Sequence, residues 1–81
     1  MSERETRLIR CFASVFPGLS VDELRSMNSE SAGNWDSLST VTLAAVVQEE
    51  FDLEIAPEVL PRLDSFDAFR TYLHRLSQAG E

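Results

Sequence analysis

Apolar residues recur at three- and four-residue spacing in three stretches of the chain, separated by polar or turn-forming segments. In the first stretch, Leu8, Ile9, Phe12, Ala13, Val15 and Phe16 fall on one side of a helix from Glu3 to Phe16, leaving Glu3, Arg4, Arg7 and Arg10 for the other. Pro17-Gly18 ends it. Ser20 and Glu23 have the spacing of a capping box, and Leu19 and Leu24 that of a hydrophobic staple, which predicts one short helical turn. From Ser26 to Asn34 the residues are polar and aperiodic and read as loop.

Asp36 or Ser37 can cap a second long helix that runs to Phe51. Leu38, Val41, Leu43, Ala44, Ala45, Val46, Val47 and Phe51 make this helix apolar around much of its circumference. One face can then fill a core while another exposes apolar side chains to a partner. The β-branched Val41, Val46 and Val47 would suit a strand, but the length of the run and the Ala pair favour a helix. The segment from Leu53 to Leu63 carries Pro57 and Pro61 and is expected to hold at most a single turn, with Pro57 at its start. Ser65 caps the last helix, in which Phe66, Phe69, Tyr72, Leu73 and Leu76 form an apolar stripe and Arg70 and Arg75 face outward. The expected fold class is all-α, a small antiparallel bundle of three to four helices with a long first loop. It forms a single domain over residues 1–81 with its helical core at about 3–77. Phe12, Phe16, Leu43, Val47, Phe51, Phe69 and Leu73 are the expected core.

Composition narrows the function. A chain of 81 residues has little room for a substrate cleft beside its core. Its formal charge is −7, from fourteen acids against seven arginines with no lysine. Nucleic acid and anionic lipid both rely on basic residues, so basic partner proteins are favoured instead. The acidity lies in the second half: nine acids and three arginines from Asp36 onward, against five acids and four arginines before it. Cys11 is the sole cysteine, which excludes an internal disulfide, and no Cys/His cluster offers a metal site. Cys11 reads as a small, partly buried helix residue and His74 as an exposed one. The charged stretch from Glu3 to Arg10 is unlike a signal peptide and no apolar run approaches a membrane span, so a cytoplasmic location without membrane insertion is expected.

The candidate chemistry lies in Asn34-Trp35-Asp36-Ser37-Leu38, where the long loop meets the second helix. A serine hydroxyl is presented there beside a carboxylate, at a helix N-terminus that favours a phosphate. Taken alone, Asp36-Ser37 is also an ordinary helix cap. No adjacent general base accompanies Ser37, so a serine nucleophile for hydrolysis or transfer lacks its activating partner and no catalytic residue is assigned.

The stretch Asp36-Ser-Leu-Ser-Thr-Val-Thr-Leu-Ala-Ala-Val-Val-Gln-Glu-Glu-Phe-Asp-Leu-Glu-Ile55 closely resembles the acyl carrier protein family. Asp-Ser-Leu opens an apolar helix, and Glu49-Glu50-Phe51-Asp52-Leu53-Glu54-Ile55 supplies the family's acidic ending at the expected distance. The resemblance is sharp over residues 34–55 and extends to the whole chain in length, helix order and acidity. It implies an acyl carrier protein-like bundle, acting as a monomer, in which Ser37 carries a covalent 4′-phosphopantetheine arm derived from coenzyme A. The arm would hold acyl groups as thioesters for delivery to partner enzymes.

By the same resemblance, Asp36 and Leu38 belong to the surface read by a phosphopantetheinyl transferase. Val41 and Ala45 belong to an apolar docking strip, and Glu49 and Glu50 meet basic patches on acyl-loading and acyl-processing enzymes. Ser39, Thr42 and Gln48 stand where acids are common in carriers of primary fatty acid synthesis, Ala45 replaces a larger apolar residue, and Asn34 replaces a frequent glycine. Trp35 resembles the Trp-Asp-Ser-Leu form of several specialised stand-alone carriers. The expected role is in fatty acid, polyketide or another specialised biosynthesis. The alternatives are an aminoacyl or peptidyl carrier and an unmodified helical interaction module.

Overall fold

The structure, a computed structural model, describes residues 3–30 and 35–79. Asn34 and the rest of the 31–34 segment of the expected loop lie outside the described residues. The helices are α1 (Glu3–Val15), α2 (Val21–Arg25), α3 (Ser37–Phe51), a 3-10 helix (Pro57–Arg62) and α4 (Phe66–Ala79). Among the described residues the only β pairing is an isolated antiparallel bridge between Asn28 and Ser65, so the chain is all-α. No helix among them is long and apolar enough to cross a membrane.

Local signals account for the boundaries. Beyond the end of α1, Gly18 turns the chain with φ +90°, a conformation that costs glycine little and a Cβ-bearing residue much. At α2 the capping box forms in full: Ser20 Oγ accepts from the Glu23 N–H at 3.2 Å, and Glu23 Oε1 accepts from the Ser20 N–H at 2.9 Å. Of the expected staple pair, Leu24 is buried whereas Leu19 stays at the surface. Ser65 caps α4 as expected, its Oγ accepting from the Ala68 N–H at 2.9 Å.

The proline segment departs from expectation. It forms a six-residue 3-10 helix where at most a single turn was expected. Pro57 sits in its first turn, where no N–H is needed, and Pro61, which has no N–H to donate, lies inside it. At its two ends the bonds run from the Val59 N–H to Ala56 O and from the Leu63 N–H to Leu60 O, each 3.0 Å.

Helix α1 packs against α2, α3 and α4, while α2 also meets α4 and α3 also meets the 3-10 helix. Phe12 lies at the centre, fully buried, with its ring edge-on to Trp35 at 5.6 Å, Phe66 at 5.0 Å and Phe69 at 5.4 Å. Leu8, Leu24, Leu43, Val47, Leu63 and Leu73 are among the other core residues. Phe51 corrects one expectation: it is only partly buried, packed against the edge of the core with the Arg7 guanidinium over its ring at 4.8 Å from the centroid. Cys11 is buried outright and not just partly, and burial pushes its thiol up to about 11. It is therefore a core residue with little thiolate at neutral pH.

Two backbone bonds fasten the first loop to the turn before α4. The Ser29 N–H donates to Asp64 O at 2.8 Å, and the Phe66 N–H donates to Met27 O at 3.0 Å. They bring Ser29 and Asp64 to the neighbourhood of the α3 N-terminus, where both line one cleft with Ser37.

Candidate functional site

Helix α3 begins at a well-formed cap. Asp36 has extended backbone angles, and its Oδ1 accepts from the Ser39 N–H at 2.9 Å. Bonding to backbone N–H groups holds the Asp36 carboxyl below the ordinary carboxylate range. Its contribution to helix stability is thus present above the unfolded pKa and lost as the pH falls through the lowered value. Ser37 is the first helical residue and is exposed. Its hydroxyl stands at the positive end of a 15-residue helix, where backbone N–H groups lack partners within the helix.

Residue spacing sorts the rest of α3 into two faces. Leu38, Val41, Thr42, Ala45 and Glu49 are exposed, with Leu38 at 72% and Val41 at 50%. Leu43, Ala44 and Val47 are buried on the opposite side. The first face is an apolar strip leading away from Ser37 and ending at an acid. It brings together Leu38, Val41, Ala45 and Glu49 of the sequence-predicted residues, with Asp36 and Ser37 at its head, while Glu50 lies about a quarter turn further round. There Arg7 Nε donates to Glu50 Oε2 at 2.8 Å and Arg7 Nη2 donates to the Glu50 carbonyl. Arg7 therefore serves both as an ion-pair partner for the acid and as a cap for a last-turn carbonyl of α3.

The far end of α3 explains two further residues. Asp52 adopts the left-handed conformation at φ 53°, which a short polar side chain tolerates better than most. Gln48 accepts from the Ile55 N–H through Oε1 at 2.7 Å, which turns the chain back onto the core. An acid-rich reading of this segment overlooks that structural task.

A cleft of about 370 Å³ opens beside Ser37. One wall is Trp35, Asp36, Ser37, Thr40 and Val41, and the other includes Leu60, Pro61, Leu63 and Asp64. The Trp35 indole is 5% exposed and belongs to the core. Its Nε1–H donates to Thr40 Oγ1 at 2.8 Å. Trp35 and Thr40 occupy the two positions of a hydrophobic staple around the Asp36 cap, here joined by a hydrogen bond. That positional rule was the signal available in the sequence.

The charge balance leads to a measurable expectation. The ion pairs Arg7–Glu50, Arg25–Glu5 and Arg70–Asp67 all have a substantially exposed arginine and contribute little. A net charge of −7 repels itself across the whole small domain. Moderate salt should therefore raise the melting temperature, by a few degrees at most. A calorimetric scan in rising sodium chloride that shows a flat or falling midpoint would contradict this.

Comparisons of the chain with protein-family models, with curated proteins and with solved structures find no match.

Proposed function

We propose that this protein is an acyl carrier protein, with Ser37 as the attachment residue of a 4′-phosphopantetheine arm and with an acyl carrier protein-like bundle as its fold. The observation that carries the proposal is the exposed Ser37 at the capped N-terminus of α3, at the head of an exposed apolar strip. A serine that served only as the first residue after the Asp36 cap would not need the apolar strip.

The residues present suit the group. Attachment forms a bond from Ser37 Oγ to the phosphorus of the pantetheine phosphate and breaks the P–O bond to the adenosine bisphosphate portion of coenzyme A, which departs with the electron pair. The hydroxyl proton passes to the transferase. The resulting phosphodiester anion lies at the positive helix end. When attached, the arm supplies a thiol that holds an acyl group as a thioester. This chain's own contribution is recognition and reach, because tethering raises the effective concentration of the cargo at a docked enzyme. Leu38, Val41 and Ala45 form the apolar docking strip, with Asp36 at its head and Glu49 at its end. A phosphopantetheinyl transferase and acyl-processing enzymes with basic patches are the partners, and fatty acid, polyketide or another specialised biosynthesis is the setting.

The test is chemical. Incubation with an acyl-coenzyme A and a broad-specificity transferase should add one acyl-phosphopantetheine by intact mass. Neutral hydroxylamine should then remove the acyl group and leave the arm. A gain that hydroxylamine does not alter, or no gain with several transferases, would refute the proposal.

A further inference from the structure

Hydrogen bonds join the residues on either side of Ser37 and so bracket it. The Trp35 Nε1–H donates to Thr40 Oγ1 at 2.8 Å, the Ser39 N–H donates to Asp36 Oδ1 at 2.9 Å, and the Thr40 N–H donates to Asp36 O at 3.1 Å. The Thr40 hydroxyl closes the set by donating to the same Asp36 carbonyl at 3.4 Å. The Trp35 end is fixed to the core, for the buried indole lies 5.6 Å from the rings of both Phe12 and Phe16 on α1. The first turn of α3 is thereby tied to α1 as well as to itself.

A hydrophobic staple ordinarily joins two apolar side chains, and here its two positions hold Trp35 and Thr40. Apolar packing is non-directional, so an apolar pair would supply the burial alone. A hydrogen bond of 2.8 Å also fixes distance and angle. The polar pair therefore sets the orientation of the first turn. Orientation matters there because helix ends fray, and Ser37 is the first residue of the helix, at the head of the exposed strip of Leu38, Val41 and Ala45. Fraying would move the serine while the rest of the strip stayed in place.

We infer that Trp35 and Thr40 are positioning residues whose mutual hydrogen bond holds Ser37 in register with the apolar strip, so that an enzyme docked on the strip meets the serine hydroxyl at a fixed place. The inference rests on the carrier reading above. The attacking oxygen must come within about 3–3.5 Å of the phosphorus, and misplacement by about 1 Å costs on the order of a hundredfold in rate. Both residues act through Ser37. Loss of their bond slows the chemical step and leaves docking unaltered.

The experiment measures single-turnover transfer of phosphopantetheine from coenzyme A to the full chain, with a broad-specificity transferase in excess. The maximal rate reads the chemical step and the half-saturating transferase concentration reads docking. Trp35→Phe and Thr40→Val each remove one partner of the bond, whereas Thr40→Ser keeps the hydroxyl. The first two should lower the maximal rate about fivefold or more with half-saturation within about twofold of the wild type, and Thr40→Ser should restore the wild-type rate. A chain carrying both Trp35→Phe and Thr40→Val should be no slower than the slower single variant, because the two residues act as one unit. Leu73→Val, a core change on α4, supplies the baseline: it should lower the melting temperature and leave the maximal rate within about twofold of the wild type. Unchanged maximal rates in Trp35→Phe and Thr40→Val overturn the inference. So does a fall that Leu73→Val or Thr40→Ser shares, or a double variant in which the two losses multiply. If Trp35→Phe does not fold, the two Thr40 variants and Leu73→Val decide alone. Failure of the wild-type chain to accept phosphopantetheine is a separate result that overturns the carrier reading itself, and the inference with it.

Discussion

Phe12→Ala is expected to lower the stability of the domain by about 3–5 kcal/mol. The ring is fully buried and meets Phe16, Trp35, Phe66 and Phe69, so truncation empties the point where α1, α4 and the approach to α3 converge. A domain of this size has in total roughly 5–10 kcal/mol, so the variant should be partly unfolded at physiological temperature. Phe51→Ala should cost less, about 1–2 kcal/mol, since that side chain is only partly buried at the edge of the core under Arg7. Urea denaturation followed by circular dichroism measures both. Equal losses for the two variants, or a loss below about 1 kcal/mol for Phe12→Ala, would show that the core is centred elsewhere.

Val41→Arg should leave the fold intact and slow modification of Ser37 about tenfold or more. Val41 is half-exposed, one turn along α3 from the serine and in the wall of the cleft, so an arginine there meets solvent without entering the core. A partner that covers Ser37 would have to bury that charge, which is costly without a counter-ion. Glu50→Gln should behave differently. Its carboxylate is already engaged by Arg7, so the rate should change less than about twofold while the hold of α1 on the end of α3 weakens. Rates at two salt concentrations, with circular dichroism as the folding control, separate the cases. If Val41→Arg unfolds the protein while Glu50→Gln abolishes modification, Val41 is a core residue and docking is mainly electrostatic.

The helices were legible because their start signals are local. Ser20 with Glu23, Asp36 before an apolar run, and Ser65 before Phe66 each specify a cap by spacing alone, and each forms the expected bond. The exposed face of α3 was legible for a related reason: too many of its residues are apolar for one core-facing stripe to absorb. What could not be read was tertiary. The pairing of Arg7 with Glu50 joins residues 43 positions apart, and it changes Glu50 from a free acid into a bonded one and Phe51 from a core ring into a covered one. The second wall of the cleft comes from the 3-10 helix and the turn after it, whose approach to α3 depends on backbone bonds between Met27, Ser29, Asp64 and Phe66 that no periodicity encodes. Trp35 falls between these cases, because a staple position was recognisable but the direction of the indole was not.

The central claim is that Ser37, and no other hydroxyl, accepts the arm. The most direct measurement is the intact mass of the wild-type chain, Ser37→Ala and Ser39→Ala after incubation with coenzyme A and a broad-specificity phosphopantetheinyl transferase. A single phosphopantetheine on the wild type and on Ser39→Ala, with none on Ser37→Ala, is the predicted result. An unmodified wild type, or an arm that persists on Ser37→Ala, would contradict it.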